Sequence, residues 1–372
     1  MLFRSNEQPL EDGSALVEFD EQRGKIQADL TVGPNVAGAR PLRANERLCW
    51  QGCKLVGAGF QITPNQYESF LKADGAAKPR LKRYWAGSDL TKRQNPRYVI
   101  DFFEMSEGEA QKAHPKLMQH LVDHVLPERA QNRDKQFRER WWVFGRPRPE
   151  LREANAALRR FIVTSEVAKN RFFSFLEWPE NLIDGSVIGI ASDDAKILGI
   201  LSSRIHVTWA LAAGGRLGVG NDPRYQNGPC FDPFPFANPS THDPRIRELS
   251  EQLDTHRKER LAEHPDLTLT DIYNVLAKLR SEEPLDAKER SIHEKGLLSV
   301  LKRIHEDLDV AVAAAYGWPV DLVEEQILER LVALNAERTA EENRGLVRWV
   351  RPEFQTRGKA AAKEQKIGRA HV

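Results

Sequence analysis

Four prolines fall close together at positions 229, 233, 235 and 239. Proline has no backbone N–H and fixes φ, so a segment this rich in proline cannot continue a helix or a central strand. The segment therefore divides the chain into two stretches of different character. We place a domain boundary at about residues 237–243.

The stretch before the prolines contains short apolar runs separated by Gly and Pro, the pattern of strands and turns. Predicted strands begin near Leu55, Tyr98, Phe161 and Ser186. Predicted helices occupy residues 106–142, 150–159 and 193–211, and a short one begins at Pro64. Thr63 before that proline and Ser106 three residues before Glu109 are typical helix N-caps.

The stretch after the prolines has the periodicity of helices joined by short connections, which is typical of an antiparallel bundle. The predicted helices are residues 243–262, 270–280, 286–309, 321–335 and 337–349. The predicted fold class is α+β, a mixed α/β domain at residues 41–237 followed by an all-α helical bundle at 243–350. Residues 1–40 form a preceding linker and 351–372 a tail.

The charged residues are unevenly distributed. Residues 129–171 hold twelve Lys/Arg against five Asp/Glu, about +7, whereas residues 243–344 hold fifteen against twenty-three, about −8. A basic block in a nearly neutral chain favours a polyanionic partner for that block alone. A basic face that contacts only solvent is the alternative.

Cysteine usage and hydropathy restrict the cellular location. The three cysteines, Cys49, Cys53 and Cys230, exclude a disulfide framework and favour a reducing compartment. The sequence has no apolar run of the ~20 residues that span a bilayer and no signal-peptide core at its N-terminus. We expect a cytoplasmic protein without a membrane partner.

The motifs of common enzyme classes are absent or incomplete. Gly57-Ala58-Gly59 lacks the third glycine of a dinucleotide loop and is interpreted as a turn. Cys49 and Cys53 have no second pair for zinc, and His120 and His124 lack the intervening glutamate of a zinc protease. No catalytic residue and no metal ligand is predicted.

Two segments resemble a broken form of the Asn-Pro-Pro-Tyr motif of enzymes that methylate the amino groups of flipped bases. They are Asn95-Pro96-Arg97-Tyr98 and Asn221-Asp222-Pro223-Arg224-Tyr225. In the motif, carbonyl oxygens hold the amine while the ring stacks on the base. The arginine in one segment and the aspartate in the other disrupt that geometry, so neither is predicted to be catalytic.

The basic block combines guanidinium groups with aromatic rings, most densely from Arg138 to Arg148. Arginine binds phosphate oxygens bidentately, which makes these residues candidate DNA-phosphate contacts. The candidates are Arg129, Arg133, Arg138, Arg140, Arg146 and Arg148. Trp141 and Trp142 within this block either stack on a partner or anchor the core.

A glycine-rich loop follows the predicted helix at 193–211 and begins Gly214-Gly215-Arg216-Leu217. Glycine permits close approach of the backbone to a partner, and Arg, Asn and Asp side chains match the edges of guanine, adenine and cytosine. The candidate base-reading residues are Arg216, Asn221, Asp222, Arg224 and Tyr225. The alternative is a loop with a structural role only.

Several different motifs, in a fixed order along residues 25–355, carry a family resemblance. They include Trp141-Trp142-Val143-Phe144-Gly145-Arg146, Leu198-Gly199-Ile200-Leu201-Ser202-Ser203-Arg204, Phe231-Asp232-Pro233-Phe234-Pro235 and Ala315-Tyr316-Gly317-Trp318-Pro319. Together they resemble the target-recognition domain and C-terminal helices of MmeI-like DNA methyltransferases.

This resemblance implies the DNA sequence-recognition part of a site-specific enzyme that methylates adenine N6, of the restriction–modification type. Full-length members use S-adenosylmethionine, but this chain lacks the motifs of the catalytic core. We therefore expect no cofactor and no methyl transfer in this chain, and double-stranded DNA as its partner. The family associates base discrimination with the segment after Gly-Arg-Leu, here residues 218–225.

Two interpretations of the missing core remain open. In the first, the core precedes this chain in a longer protein; in the second, the chain is a free-standing specificity subunit that recruits a separate methyltransferase. A third alternative is a helical adaptor without affinity for DNA. The last residues, Ile367-Gly368-Arg369-Ala370-His371-Val372, resemble the translation of a sequencing adapter, so residues 367–372 are interpreted as a sequencing scar and not as part of the fold.

Overall fold

The computed structural model describes residues 2–9, 15–22, 25–26, 32–217 and 222–356, with side chains from residue 33 onward. The candidate Asn221 lies outside the described residues, and so do residues 357–372 of the predicted tail. The described strands are β1 (Leu2–Pro9), β2 (Ala15–Gln22), β3 (Lys25–Ile26), β4 (Val32–Gly33), β5 (Cys49–Gln51), β6 (Gln61–Ile62), β7 (Leu81–Trp85), β8 (Tyr98–Ile100), β9 (Arg160–Ser165), β10 (Ser174–Glu177), β11 (Asn181–Ile183), β12 (Val187–Ile190), β13 (Arg216–Leu217) and β14 (Asp222–Pro223).

The helices are distributed on both sides of the proline segment. Before it lie α1 (Pro64–Ala73), α2 (Gly87–Thr91), α3 (Glu107–Ala113), α4 (Pro115–His124), α5 (Leu126–Ala130), α6 (Lys135–Glu139), α7 (Pro149–Asn155), α8 (Ala195–Ser202) and α9 (Arg204–Ala213). After it lie α10 (Asp243–Glu263), α11 (Leu269–Arg280), α12 (Ala287–Gly296), α13 (Leu298–Tyr316), α14 (Glu324–Asn343) and α15 (Pro352–Gln355). The predicted α+β class is confirmed.

Two four-stranded sheets form the mixed part. One has the order β10-β9-β12-β5 and is antiparallel throughout. The other has the order β11-β7-β8-β6, in which only β11 and β7 are parallel. Strand β9 is buried on both faces from Phe161 to Ser165, which explains its continuous run of β-branched and aromatic residues. The strands predicted at Phe161 and Ser186 are confirmed.

Local helix signals are realised where they were predicted. The hydroxyl oxygen of Thr63 accepts the N–H of Gln66, whose side chain accepts the N–H of Thr63 in return. Ser106 and Glu109 form the same reciprocal pair at α3. These capping boxes satisfy N–H groups that would otherwise lack partners at the start of a helix.

Several predicted element boundaries were wrong. The helical stretch 106–142 is four short helices, with Pro115 and Pro127 in the first turns of α4 and α5 and Asp134 as the N-cap of α6. The helix predicted at 193–211 is divided at Ser203, whose extended ψ of 158° and hydroxyl bond to the Ile200 carbonyl end α8. The run near Leu55 turns at Val56 and Gly57, where φ is 53° and 146°, and so forms no strand there.

Two helix boundaries in the acidic part also differ from the prediction. The stretch 286–309 is interrupted at Leu297, which has a left-handed φ of 47°. In contrast, the two helices predicted around residue 336 are the single helix α14, because no Gly or Pro interrupts residues 324–343.

The hydrophobic core extends across the proline segment. One cluster of buried side chains joins Phe161 of β9 and Trp209 of α9 to Ile246 of α10 and Leu308 of α13, with Phe234 of the proline segment among them. Two buried asparagines bind the carbonyl groups of that segment. The Asn45 Nδ2 group donates to the carbonyls of Phe231, Asp232 and Phe234, and Asn335 Nδ2 donates to Pro233.

The acidic helices pack against the mixed part through polar contacts as well. Arg257 of α10 donates to the Phe173 carbonyl at 2.6 Å, and Ser174 donates to Asp254 at 2.6 Å. The α10 helix also lies along α8, where Lys196 pairs with Asp243 at 2.8 Å. Within the described part of the chain, no helix is both long and apolar enough to cross a membrane.

Candidate nucleic-acid interface

The glycine-rich loop begins as a small hairpin. Strands β13 and β14 pair antiparallel, with Arg216 opposite Pro223 and Leu217 opposite Asp222. The Arg224 N–H donates to the Gly215 carbonyl at 2.8 Å and closes its base. Gly214 has to be a glycine here, because a Cβ at this position would lie 2.3 Å from the Arg224 carbonyl oxygen.

Residues 166–168, which follow β9, contact β14 of the hairpin and the residues after it, on the side away from β13. Val167 pairs with Arg224 in an antiparallel bridge, and the Tyr225 N–H donates to the Glu166 carbonyl at 2.7 Å. Residues 214–215 and 166–168 therefore enclose residues 222–225 on both sides. This arrangement fixes the base of the hairpin, where residues 215–217 are exposed.

A buried arginine anchors the same place. The Arg171 guanidinium donates to the Pro223 carbonyl at 3.1 Å, to the Thr164 hydroxyl at 3.0 Å and to the Ser165 carbonyl. Burial lowers the pKa of Arg171 from 12.5 to about 10, which still leaves it charged at neutral pH. A fixed positive charge therefore lies directly beneath the hairpin.

The candidate base-reading residues have different environments. The side chain of Arg216 is exposed on β13, and Asp222 is partly exposed on β14. Arg224 forms an ion pair with Glu166, with its Nε and Nη2 atoms 2.8 and 2.6 Å from the same oxygen, Oε1. Of these candidates, Arg216 is therefore exposed, while Asp222 and Arg224 are partly exposed.

Tyr225 is a correction to the set of base-reading candidates. Its side chain is fully buried, packed edge-on against Phe173, and its hydroxyl lies 3.1 Å from Nε2 of His206. Burial raises the pKa of the Tyr225 hydroxyl and lowers that of His206 to about 3. A ring held this way anchors the hairpin to α9 and cannot stack on a base.

The basic strip, defined here as Arg133, Arg138, Arg140, Arg146 and Arg148, lies mainly at the surface. The first four of these side chains are exposed, and Arg148 is half-buried. Arg138 uses Nη1 to bind the carbonyls of Asn132 and Arg133, which orders residues 132–138. A side chain that contacts phosphate must be accessible to solvent, and the exposed side chains of the strip meet this condition.

Arg129 is a second correction, since it was predicted to contact phosphate. Its side chain is 1% exposed, and Nη2 donates to the carbonyls of Leu55 and Val143. Its guanidinium also lies 4.9 Å from the centre of the Phe137 ring. Arg129 therefore joins α5 to the strip from inside and does not reach a partner.

The tryptophan pair adjoins the core and does not form an exposed stacking platform. Trp141 is buried and donates from Nε1 to Glu107 at 3.2 Å, whereas the Trp142 indole donates to the Met105 carbonyl at 3.0 Å. Their rings meet edge to face, with centres 6.2 Å apart. The tryptophans therefore anchor the strip to α3 and to the residues just before it, as in the interpretation that they anchor the core.

Residues that the sequence did not single out connect the strip to the hairpin. Lys54 is exposed and exchanges two backbone hydrogen bonds with Arg146, so two cations lie side by side. Gln51 accepts from Arg148 Nη2 at 3.3 Å and donates to Glu166 Oε2 at 3.2 Å. Glu166 then binds Arg224. These pairs are far apart in sequence, so no local pattern could have indicated them.

The residues of the incomplete enzyme motifs lie in packed or buried surroundings. Gly59 packs against α4, where a Cβ would lie 2.3 Å from the His124 carbonyl oxygen, so this turn offers no open cofactor loop. Cys49 and Cys53 are buried, and burial raises the pKa of the Cys53 thiol to about 11. Among the residues that the structure describes, no group of three or more His, Cys, Asp or Glu side chains could hold a metal ion.

Comparisons with known proteins cover most of the chain. The family model for the target recognition domain of MmeI matches residues 40–238. DNA methyltransferase A of Bacillus subtilis strain 168 is 26% identical over 319 residues, which are 84% of this chain and 33% of that protein. The solved structure of the type IIL restriction-modification enzyme MmeI in complex with DNA matches with a TM-score of 0.64 at 17% identity, over 88% of this chain and 40% of that one. The chain thus spans about a third to two fifths of these proteins.

Proposed function

The chain belongs to the family defined by the MmeI target recognition domain, and on that basis we propose that it selects the DNA sequence at which a restriction–modification methyltransferase acts. The reaction proposed for the whole enzyme is transfer of a methyl group from S-adenosylmethionine to N6 of adenine. This chain contributes DNA recognition, and its partners are double-stranded DNA and a methyltransferase core, in the same polypeptide or in a separate one.

In this proposal the basic strip binds the DNA backbone. Exposed arginines neutralise phosphates and release counterions, which supplies affinity and sets the register of the protein on the duplex without reading sequence. Lys54 beside Arg146 extends the strip by one cation. The acidic helices, with a net charge of about −8 over residues 243–344, are not expected to face the phosphates.

The hairpin reads base edges. Arg216 offers the paired donors that suit guanine O6 and N7, and Asp222 offers an acceptor for the cytosine amino group. Arg216 is opposite Pro223 and Leu217 is opposite Asp222, so the side chains of Arg216 and Asp222 extend from opposite faces of the hairpin and are proposed to meet different bases. Asn221 belongs to the same proposed reading segment.

One observation carries the proposal, namely the continuous path of contacts from the strip to the hairpin. Arg148, Gln51, Glu166 and Arg224 are joined in that order by hydrogen bonds between their side chains. A surface that holds phosphates and a hairpin that reads bases must keep a fixed relative position to recognise one sequence. This path supplies such a connection.

The turn at Gly57 and Gly59, whose spacing resembles part of a cofactor loop, packs against α4 at Gly59 and is not open to a cofactor. We therefore assign the cofactor and the methyl-transfer step to the methyltransferase core, and no catalytic residue to this chain. The purified chain should not incorporate labelled methyl groups into DNA, and incorporation would contradict this assignment.

The experiment is a selection from a pool of DNA duplexes with a randomised central segment, using the full chain. We expect enrichment of one sequence and a steep loss of affinity as salt is added, since phosphate contacts release counterions. A pool that stays unenriched while binding weakly would contradict sequence recognition. No binding even at low salt would leave the structural adaptor as the better description.

A further inference from the structure

Glu166 is a carboxylate at the base of a hairpin that, in the function proposed above, approaches the polyanion DNA. We propose that Glu166 is a positioning residue for base reading, which sets the orientation of Arg224 and couples it through Gln51 to Arg148 of the basic strip. The inference rests on the proposed function and goes beyond it, because it assigns roles to two residues that do not themselves contact DNA.

The geometry of the ion pair selects one edge of the guanidinium. Both Nε and Nη2 of Arg224 donate to Oε1 of Glu166, at 2.8 and 2.6 Å. An arginine has five N–H groups in a rigid plane, so this pair uses the Nε–Nη2 side edge and does not engage the Nη1–Nη2 end edge. That end edge is the fork that binds guanine or a phosphate bidentately.

The carboxylate is itself held rigidly. The side chain of Glu166 is 12% exposed, compared with 34% for Arg224, so the carboxylate is more deeply buried than the guanidinium group that it orients. The Glu166 N–H donates to the Ser186 carbonyl at 2.8 Å, and its carbonyl accepts the Tyr225 N–H at 2.7 Å. Main chain and side chain of one residue thus fix two consecutive residues of the hairpin, Arg224 and Tyr225.

Gln51 connects Glu166 to Arg148 of the basic strip. It lies at the end of β5, next to Ile188 in the sheet. Its amide can satisfy a carboxylate and a guanidinium together in only one orientation, with Nε2 toward Glu166 and Oε1 toward Arg148. Arg148 also donates from Nε to the Gly52 carbonyl at 3.1 Å, which fixes the far end of the path.

Electrostatics gives a reason for an acid in this place. A lone carboxylate near phosphates would oppose DNA binding, and its removal should then only strengthen binding. Glu166 is surrounded by the guanidinium groups of Arg224 and, through Gln51, Arg148, with Arg171 anchored at the same base. In the proposal, Glu166 restricts the conformations of the Arg224 side chain before DNA binds. Without that restriction, Arg224 would lose its rotamer freedom when it binds a base, which would cost binding free energy.

The test is Glu166→Gln in the full chain, measured on the sequence enriched from the randomised pool and on a scrambled duplex. We expect the ratio of the two affinities to fall about tenfold, the size of one good base contact. Affinity for the scrambled duplex should stay equal or rise, since a negative charge is removed. A purely structural residue would instead weaken both duplexes together, and that result would overturn the inference.

A double-mutant cycle separates positioning from folding. Arg224→Ala should lower the same affinity ratio, and adding Glu166→Gln to Arg224→Ala should change the ratio little further, because the residue to be oriented is gone. Fully additive losses would overturn the coupling. Gln51→Met keeps the ion pair but breaks the path to Arg148, so a smaller loss of the ratio is expected; no loss would remove Gln51 from the proposal.

These results are distinguishable from a failure of the proposed function. If the unsubstituted chain enriches no sequence from the pool, the proposed function of sequence recognition is wrong, and the positioning inference falls with it. If it enriches a sequence and Glu166→Gln discriminates as well as the parent, only the positioning inference is wrong. Thermal unfolding of each variant checks that the folded state persists at the assay temperature.

Discussion

Asn335 and Arg40 exchange two hydrogen bonds across 295 residues of sequence. The Arg40 N–H donates to Asn335 Oδ1 at 3.0 Å, and Asn335 Nδ2 donates back to the Arg40 carbonyl at 2.9 Å. The same Nδ2 group donates to the Pro233 carbonyl at 2.6 Å. One buried amide therefore joins α14, the start of the mixed part and the proline segment.

Asn335→Ala should lower the free energy of unfolding by about 1–3 kcal/mol, because it leaves buried backbone groups without partners. The matched control is Asn343→Ala on the same helix, where the side chain is exposed and the expected change is within about 0.5 kcal/mol. Denaturant unfolding measures both. Equal effects of the two substitutions would show that Asn335 does not join the three segments.

Gly214 and Gly215 offer a second matched pair. A Cβ on Gly214 would lie 2.3 Å from the Arg224 carbonyl oxygen, whereas a Cβ on Gly215 would meet nothing within 4 Å. Gly214→Ala should therefore destabilise the chain by about 1–3 kcal/mol and displace the hairpin, while Gly215→Ala should be tolerated. Unfolding and duplex discrimination measure the two consequences. A tolerated Gly214→Ala would mean that the base of the hairpin is not packed as described.

His206 makes stability depend on pH. Burial and the charge of Arg171 lower its pKa from 6.5 to about 3 in the folded chain. The unfolded chain binds the proton first, so stability that is complete above pH 6.5 is lost as the pH falls toward 3, at up to about 1.4 kcal/mol per pH unit from one group.

His206→Gln should flatten that part of the pH profile, measured by denaturant unfolding at a series of pH values. Tyr225→Phe is the control, since it removes the hydroxyl bonded to His206 but keeps the imidazole. It should lower stability at every pH and retain the slope. If the slope survives in His206→Gln, another group is responsible for it.

Arg216→Ala tests direct base reading. It should relax sequence preference at one base pair by about 1–3 kcal/mol, because a bidentate contact to a base edge is lost. Affinities for the enriched duplex and its single-base variants measure this change. A uniform loss on every duplex would reassign Arg216 to a phosphate.

Arg146→Ala tests the strip. It should weaken binding to all duplexes alike and reduce the slope of log affinity against log salt by about 1, the signature of one lost phosphate contact. Arg303→Ala removes the same charge from an exposed position on α13 in the acidic helices, and should leave the slope unchanged. Equal changes in both variants would indicate a general charge effect.

The sequence predicts features that depend on residues close together in the chain. The capping boxes at Thr63 and Ser106 need only a polar side chain and a partner three residues away. The interruption at Leu297 is different, because a residue other than glycine rarely adopts a left-handed φ, so a leucine at this position does not indicate the end of a helix.

The candidate site divides in the same way. Composition identifies a basic block, but it cannot tell the buried Arg129 from the exposed Arg146, since both are arginines among aromatic residues. Glu166 was missed because its partner lies 58 residues away, and Gln51 because its partners lie more than 90 residues away. Burial and pairing at long range come from the tertiary fold alone.

The shared core beneath the proline segment has a consequence for how such proteins diversify. Phe161 and Trp209 on one side and Ile246 and Leu308 on the other form a single buried cluster, so cleaving the chain between them would uncover apolar surface on both pieces. Grafting a new recognition module from a relative therefore has to bring along, or faithfully imitate, the surface that meets the helices. The side chains of β13, Arg216 and Leu217, are exposed and lie outside this shared core, so substitutions there leave the core intact.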